Sequence, residues 1–600
     1  MSNEKETWKE GMYGDEVREK IIEFAEKGWE SIPEEERDKW FSRFKFWGVF
    51  HQRDGQESYF MMRLTNANGQ MTAEQLRAIG EVAREYATGP VDNPEFGDAW
   101  IDLTTRQSIQ LHWINLEDVP AIWETLESVG VTTRSSGGDT MRNIVGCPVA
   151  GKDEHELVET LPLLERLQED LRGDDDLANM PRKFNISVTG CREGCAQDAI
   201  NGIGLEPAEK EIDGEASETP PAAGDGETVM GFNVRVGGGL GGREPRRAHD
   251  LDVFVTPENA YHAVRGFVEL YHDHGRRDNR QQNRSRFFVD EEGTEAIRDL
   301  LQAEYVDIGL RRAGRNVREE YTYNAGRPPE AGKPDHVGVH EQPDGRYYVG
   351  LSAPVGRMTA RETIALADIA EAYGSGEIRL TRRQNPLIMD VEESALDPLL
   401  DEPLLETHRP EPTPFERGSM ACTGTEFCGL ALTETKLRLT RMLRWLNANV
   451  EVPDDVETIK IHYSGCTADC GHAYTADIGL QGMRAQKDGD IVEALDIGVG
   501  GGLGPHPEFV EWVSQRVPAD EVPGAIRSLI GAFAAHREDG QTFREWVEDV
   551  GTESVVDLCE PEETDYEDPY MHDAKQTWYP FADGESPAPT TVDDVPITSD

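Results

Sequence analysis

Lysine is scarce in this chain, extended apolar stretches are missing, and cysteine is too sparse for a disulfide scaffold. Of the 60 basic residues only 14 are lysine, and they face 115 acidic residues, giving a formal charge of −55 over 600 residues. That shortage of positive charge excludes a nucleic-acid partner, whose phosphates the chain would repel rather than neutralise. A net charge this large destabilises the compact state by self-repulsion in dilute salt. At molar salt the Debye length shrinks to ~3 Å and the repulsion is screened. The composition therefore predicts a protein of a salt-accumulating, halophilic cell. No stretch approaches the roughly 18 apolar residues of a membrane span, and the N-terminus, MSNEKETWKEG, lacks the apolar core of a signal peptide. The expectation is a cytoplasmic protein with no membrane partner and with reduced thiols. Cys559 stands alone and is given no role. The glycine-rich runs RVGGGLGG (235–242) and GVGGGLG (498–504) lack the GK[ST] of a phosphate loop. No strand–GxGxxG–helix unit with an acidic residue downstream stands out either. A built-in nicotinamide or flavin domain is thereby excluded.

What is present is a set of four thiols. Cys422, Cys428, Cys466 and Cys470 are spaced C-x5-C and C-x3-C, in ACTGTEFCGLA and HYSGCTADCGHA. Iron–sulfur clusters are commonly held by four cysteine thiolates, and small neighbours let the backbone wrap closely around an inorganic cube. A four-cysteine zinc site normally uses pairs two to four residues apart, which C-x5-C fits poorly. A radical-SAM cluster is disfavoured because no C-x3-C-x2-C occurs. The four thiols point to multi-electron redox chemistry, with reducing power delivered by a protein carrier.

The chain also repeats itself. DLTTRQSIQLHWI (102–114), RNIVGCPVAG (142–151), SVTGCREGCAQDAINGIGL (187–205) and RVGGGLGG form one series. RLTRRQNPLIMDV (379–391), EFCGLAL (426–432), HYSGCTADCGHAYTADIGL (462–480) and GVGGGLG form a second, in the same order. Self-similarity at this period predicts two homologous halves about a pseudo-two-fold axis. Aligning Cys147 with Cys428 sets Met141 against Cys422, so the first copy keeps only Cys147, Cys191 and Cys195. One complete cluster site, in the second copy, is expected; a three-thiolate cluster in the first is the alternative.

The expected organisation is α/β (α+β). Residues 1–45 are N-terminal helices, the second opened by Ser31 as N-cap with Pro33 in its first turn. Segments 46–130 and 335–400 mix alternating strands with amphipathic helices at Thr72–Tyr86 and Thr359–Tyr373. Segments 131–330 and 405–555 are cysteine-bearing α/β units. Glu206–Thr228 reads as a solvated acidic insertion and 561–600 as a disordered acidic tail.

The blocks MMRLTNANG, TTRQSIQLHW, RNIVGCPVAG and PRKFN, the doubled VGGGLG and the cysteine spacing together resemble the nitrite/sulfite reductase family, over about residues 45–555. The resemblance implies ferredoxin-like half-domains at 46–130 and 335–400, sirohaem coupled to a [4Fe–4S] cluster, ferredoxin as donor and a monomer. It implies that Cys470 bridges the cluster and the sirohaem iron, and that Thr105, Arg106 and Gln110 contact the cofactor. The substrate positions it carries over are Arg63, Arg142, Lys183 and Asn185. In a strand, Lys183 and Asn185 would project from one face ~6.6 Å apart, and the two arginines would offer multi-donor forks to oxyanion oxygens. The run Arg276, Arg277, Arg280, Arg284 and Arg286 is similar to a carboxylate-binding stretch, or else is a solvated helix face. Gly237–Gly239 and Gly500–Gly502 would let backbone N–H groups approach the macrocycle or cluster.

Sulfite-type members tend to carry Lys where this chain has Asn185. An extra ammonium favours sulfite, which is partly dianionic near neutral pH; nitrite is a flat monoanion, and a buried Lys without a charge to pair is costly. Asn185 thus favours nitrite. His112, where many plant-type nitrite enzymes have Arg, argues weakly for sulfite, and otherwise reads as a structural residue at a strand end. The expectation is a ferredoxin-dependent assimilatory nitrite reductase. The alternatives are a sulfite reductase on the same scaffold and a non-catalytic iron–sulfur carrier.

Overall fold

Four sheets, two of each kind, carry the repeat. The computed structural model describes residues 4–9, 13–53, 56, 58–212, 227–242, 244–318, 335–558 and 562–568. One sheet runs Val49–His51, Tyr59–Arg63, Ile109–Asn115, Gly97–Leu103, Arg357–Thr359, with Thr88–Asn93 paired to Gly97–Leu103. A second runs Gly338–Glu341, Tyr347–Gly350, Pro386–Val391, Glu377–Leu380, Gln70–Thr72. The last strand of each comes from the other half: Met358 pairs with Ile101, and Met71 with Ile378, both antiparallel.

Each exchanged strand ends in a threonine that caps the next helix. Thr72 and Gln75 form a capping box on Ala73–Tyr86, and Thr359 and Glu362 form one on Ala360–Tyr373. These are the two amphipathic helices expected from the sequence. They cross at Gly80, where a Cβ would lie 2.7 Å from Ile364 Cγ1. One apolar core, from Leu76 and Ile79 to Leu366 and Ile369, runs through both halves.

The other two sheets have the same strand order and sense. Val145–Gly146, Ile186–Val188 and Ile203–Ile212 are parallel, followed by antiparallel Glu227–Val236 and His249–Val255. Met420–Ala421, Ile461–Ser464 and Ile478–Lys487 are parallel, followed by antiparallel Asp490–Val499 and Glu511–Pro518. Thiols follow the first two parallel strands in both, the edge where open sheets place ligands. The register corrects the sequence alignment. Val145 pairs with Ser187 as Met420 pairs with His462, so Cys147 is the counterpart of Cys422, not of Cys428.

Several expectations change. The second N-terminal helix starts at Arg37 rather than near Ser31, because Pro33 holds Ile32 extended (ψ 117°) and a short turn, Glu34–Glu36, intervenes. Glu206 does not open a solvated insertion; it lies in the strand Ile203–Ile212, 2% exposed and 2.7 Å from Arg235. Residues 213–226 lie outside the described residues, as do Cys559 and 569–600. The start of the tail packs down: Asp568 pairs with Arg438 at 2.6 Å and Asp565 accepts from Trp445 Nε1 at 3.0 Å. Among the described residues no helix is long and apolar enough to cross a membrane.

Candidate active site

Cys422 follows the strand Met420–Ala421, and Gly465 N donates to its sulfur at 3.1 Å. Gly424, at φ +68°, turns the chain toward Cys428 where a Cβ would sit 2.5 Å from Thr435 Oγ1. Asp469 accepts from Ser464 Oγ and Ala473 N, each at 2.7 Å, and so fixes the loop that carries Cys466 and Cys470. Burial pushes the Cys422 thiol up and the Cys466 thiol to about 11. Thiols in this state become thiolates when they ligate a metal, whose charge replaces their protons.

Behind this loop lies a buried ionic anchor. Arg357, on the exchanged strand, meets Asp102 at 2.7 Å and Glu426 at 2.8 Å, the latter between Cys422 and Cys428. His112 belongs here. It stacks on Phe427 at 3.9 Å and bonds Asp102 at 3.1 Å, in the middle of its strand rather than at the end.

In front of the loop, Cys466 and Cys470 open onto a cleft of ≈ 1370 Å³ that is also lined by Arg142, Lys183, Arg284 and Arg286. Backbone carbonyls hold these cations more than acids do. Arg142 donates to Ser136 O at 2.7 Å and Gly138 O at 2.8 Å, and Arg63 to Ser136 O at 3.3 Å. Arg106 donates to Asn201 Oδ1 at 3.0 Å, and Arg382 to Thr105 O at 3.1 Å. Among the described residues none of Arg63, Arg106, Arg142, Lys183, Arg284 and Arg382 ion-pairs with a carboxylate. Burial accordingly lowers Arg63 and Arg284 to about 10 and Arg382 to about 9, and lowers Arg106 and Arg142 well below the usual range. The Arg284 charge, then burial, lowers Lys183 likewise. Nε and Nη1 of Arg286, Nε of Arg106 and Arg142, and Oδ1 of Asn185 are buried without a hydrogen-bond partner. In an acidic protein this is a site built for a polyanion.

The sequence-named residues sort as follows. Arg142, Lys183 and Cys470 reach the cleft. Arg63 sits at its edge over the Phe50 ring, and Gln110 stands behind it; with its amide oxygen toward Arg63, Gln110 accepts from Nη2 at 2.7 Å and Nε at 3.0 Å. Thr105 Oγ1 donates to Cys470 O at 3.4 Å. Lys183 and Asn185 flank a single bridge, Phe184 to Met141, just before the strand Ile186–Val188.

The basic run is not a helix face, since its helix begins only at Ser285. Arg276 pairs with Asp278 and Arg280 with Asp139, each at 2.6 Å; among the described residues Arg284 and Arg286 form no ion pair, although the charges of Glu244 and Asp290 reach Arg286. The triple glycines pack against protein rather than ligand. A Cβ on Gly238 or Gly501 would lie 2.7 Å from the carbonyls of Ala199 or Tyr474. Gly241 and Gly242, just beyond, are the ones that reach the cleft, and Gly242 N donates to Thr467 O of the cysteine loop at 2.8 Å. Arg382 went unnamed in the sequence; when TTRQ (104–107) is aligned with TRRQ (381–384) it stands opposite Thr105, and Arg383 stands opposite Arg106, so the repeat alone gives no signal for it.

Arg284 and Arg286 give the cleft the cations that a carboxylate-rich tetrapyrrole requires, while Arg106 lies outside its lining, and the four second-copy thiols are of the kind that holds a cluster. Comparison with known proteins agrees. The family model "Nitrite and sulphite reductase 4Fe-4S domain" matches residues 137–308 and 414–565. "Nitrite/Sulfite reductase ferredoxin-like half domain" matches 51–92, 94–129 and 340–405. An assimilatory ferredoxin-dependent nitrite reductase of Haloferax mediterranei is 70% identical over 601 residues, covering 100% of both chains. A ferredoxin–nitrite reductase of Synechococcus elongatus is 36% identical, over 86% of this chain and 93% of its own. The solved structure of the Mycobacterium tuberculosis NirA protein superposes with TM-score 0.75 at 28% identity, over 90% of this chain and 95% of that one.

Proposed function

Since this chain belongs to the nitrite and sulfite reductase family, we propose that it is a ferredoxin-dependent assimilatory nitrite reductase, taking nitrite to ammonium with six electrons. The observation that carries the reading is that Arg142, Lys183 and Arg284, none of them ion-paired among the described residues, line the same cleft as Cys466 and Cys470. Cys422, Cys428, Cys466 and Cys470 hold a [4Fe–4S] cluster; Arg106, Arg284 and Arg286 hold the sirohaem carboxylates, with Thr105 beside Cys470. When bound, the coupled pair supplies an electron store and an iron on which the substrate nitrogen is reduced.

The protein's own groups bind, orient and protonate. Arg142 and Lys183 attract the anion, and desolvation in the cleft strengthens that attraction. Arg63, aimed by Gln110 and Ser136, offers a fork to a nitrite oxygen. Two oxygens leave as water, so protons must arrive locally. The Arg284 charge makes Lys183 Nζ a readier donor than an exposed lysine, and cleft water reloads it.

Asn185, just before the strand Ile186–Val188, adds no ammonium beside Lys183, which supports nitrite over the sulfite dianion. His112, the one residue that argued for sulfite, lies in the anchor behind Phe427 and does not bear on the choice. We further propose that the enzyme works in the cytoplasm, which its free thiols and salt-adapted charge support, and as a monomer, which the family resemblance implies.

The test is turnover of nitrite and sulfite in molar KCl with reduced viologen as donor. A kcat/KM at least tenfold higher for nitrite, ~1.4 kcal/mol of transition-state preference, upholds the reading; a sulfite preference overturns it. Asn185→Lys should move the ratio toward sulfite by about the same factor, and an unchanged ratio removes Asn185 as selector.

A further inference from the structure

The function above uses none of the first-copy thiols, yet they converge. Cys147 Sγ and Cys195 Sγ are 3.5 Å apart, and one ligand atom from each, with a ring nitrogen of His336, lie within 4.8 Å of one another. Cys191 lies beside both sulfurs in hydrogen-bonding contact, outside that 4.8 Å group of three, and the backbone N–H groups of Glu193 and Gly194 point at it. His336 comes from the other half of the chain, just before the strand Gly338–Glu341, with its backbone at φ +60°. Tyr348 OH bonds its Nδ1 at 3.2 Å and sets the ring plane, as outer partners of metal-bound histidines do.

The spacing selects the occupant. Two sulfurs on one tetrahedral ion at ~2.3 Å each stand about 3.8 Å apart, close to the 3.5 Å observed. No three of the second-copy thiols approach within 4.8 Å of one another, as suits a site that gives each thiolate its own iron. The cavity beside Cys195 and His336 is ≈ 40 Å³, room for an ion and not for a cube of four irons. Arg382, Arg383 and Lys460 line the same cavity, together with Glu193 and Asp335. We propose that Cys147, Cys191, Cys195 and His336 bind one tetrahedral zinc-class ion, displacing three thiol protons and tying the start of the second half to the first α/β unit.

The experiment is metal analysis of the holoenzyme, purified in molar KCl, washed with chelator and never given zinc. About one zinc per chain is expected beside about five irons from the cluster and sirohaem. Zinc-edge X-ray absorption of the unaltered protein should show about three sulfurs near 2.3 Å and one nitrogen near 2.0 Å. This readout does not depend on a variant folding. His336→Ala should lower zinc at least fivefold with iron unchanged, and His336→Cys should restore it. About four extra irons lost in Cys191→Ser would overturn the proposal in favour of a second cluster. So would a Cys147–Cys195 disulfide with no zinc, an all-oxygen zinc shell, or zinc indifferent to the substitutions.

Discussion

At the residue scale, burial without counter-charge is the recurring device, and it has a pH consequence away from the cleft. His462 is 4% exposed and donates from Nδ1 to the His472 carbonyl, 3.0 Å away. Burial, with Arg383 and Lys460 nearby, lowers it from 6.5 to about 3. The folded state thus binds fewer protons than the unfolded chain between those values, and stability rises with pH through 6.5. Moving from pH 7.5 to 5.5 should cost about 1.4 kcal/mol through this residue alone, a tenfold shift in the unfolding equilibrium. His462→Gln should flatten that share of the slope. The check is the half-life of thermal inactivation in molar KCl at the two pH values. An equal pH response in both proteins would remove His462 as the cause.

At the scale of elements, the two halves are locked by exchange. Gln107 Nε2 donates to Leu380 O at 3.0 Å and Gln384 Nε2 to Leu103 O at 2.9 Å, while their oxygens accept from Gly146 N and Ala421 N, the residues just before Cys147 and Cys422. The helices Ala73–Tyr86 and Ala360–Tyr373 need Gly80 at their crossing. Gly80→Val should cost about 1–3 kcal/mol by overpacking. Gly531→Ala, in the helix Val522–His536 with nothing within 4 Å of its Cβ, should be neutral or stabilise by up to about 1 kcal/mol. Thermal midpoints of the two variants should therefore move in opposite directions, and a harmless Gly80→Val would refute the close crossing. The legible parts were local: the two amphipathic helices, the cysteine spacing, and the motifs bearing Arg142 and Lys183. What stayed hidden was non-local. Strand exchange pairs residues more than 300 apart, so nothing near Met71 announces Ile378. Glu206 reads as solvated because Arg235 and Arg318, which bury it, lie far along the chain. The Cys147 alignment failed for a related reason: register, which decides it, is set by neighbouring strands and not by spacing.

At the scale of the whole molecule, the charge of −55 sits on a fold whose interior is positively charged at the cleft. These two facts pull salt dependence in opposite directions. Lowering KCl from molar to 0.1 M lengthens the Debye length from ~3 to ~10 Å, so surface carboxylates begin to repel one another across the fold. The buried pairs do not loosen in the same way, because screening scarcely reaches them. Arg438, for example, holds Glu493 at 2.6 Å and Asp568 at 2.6 Å with side chains under 7% exposed. The first losses at low salt should therefore come from exposed acidic edges, with the sulfur-bearing loops failing later. Dialysis to 0.1 M salt should lower the thermal midpoint before visible cofactor absorption declines. NaCl should restore stability as well as KCl at equal ionic strength if screening is the cause. Sucrose, which strengthens burial without screening, should restore less; full rescue by sucrose would shift the explanation from charge repulsion to weakened apolar burial.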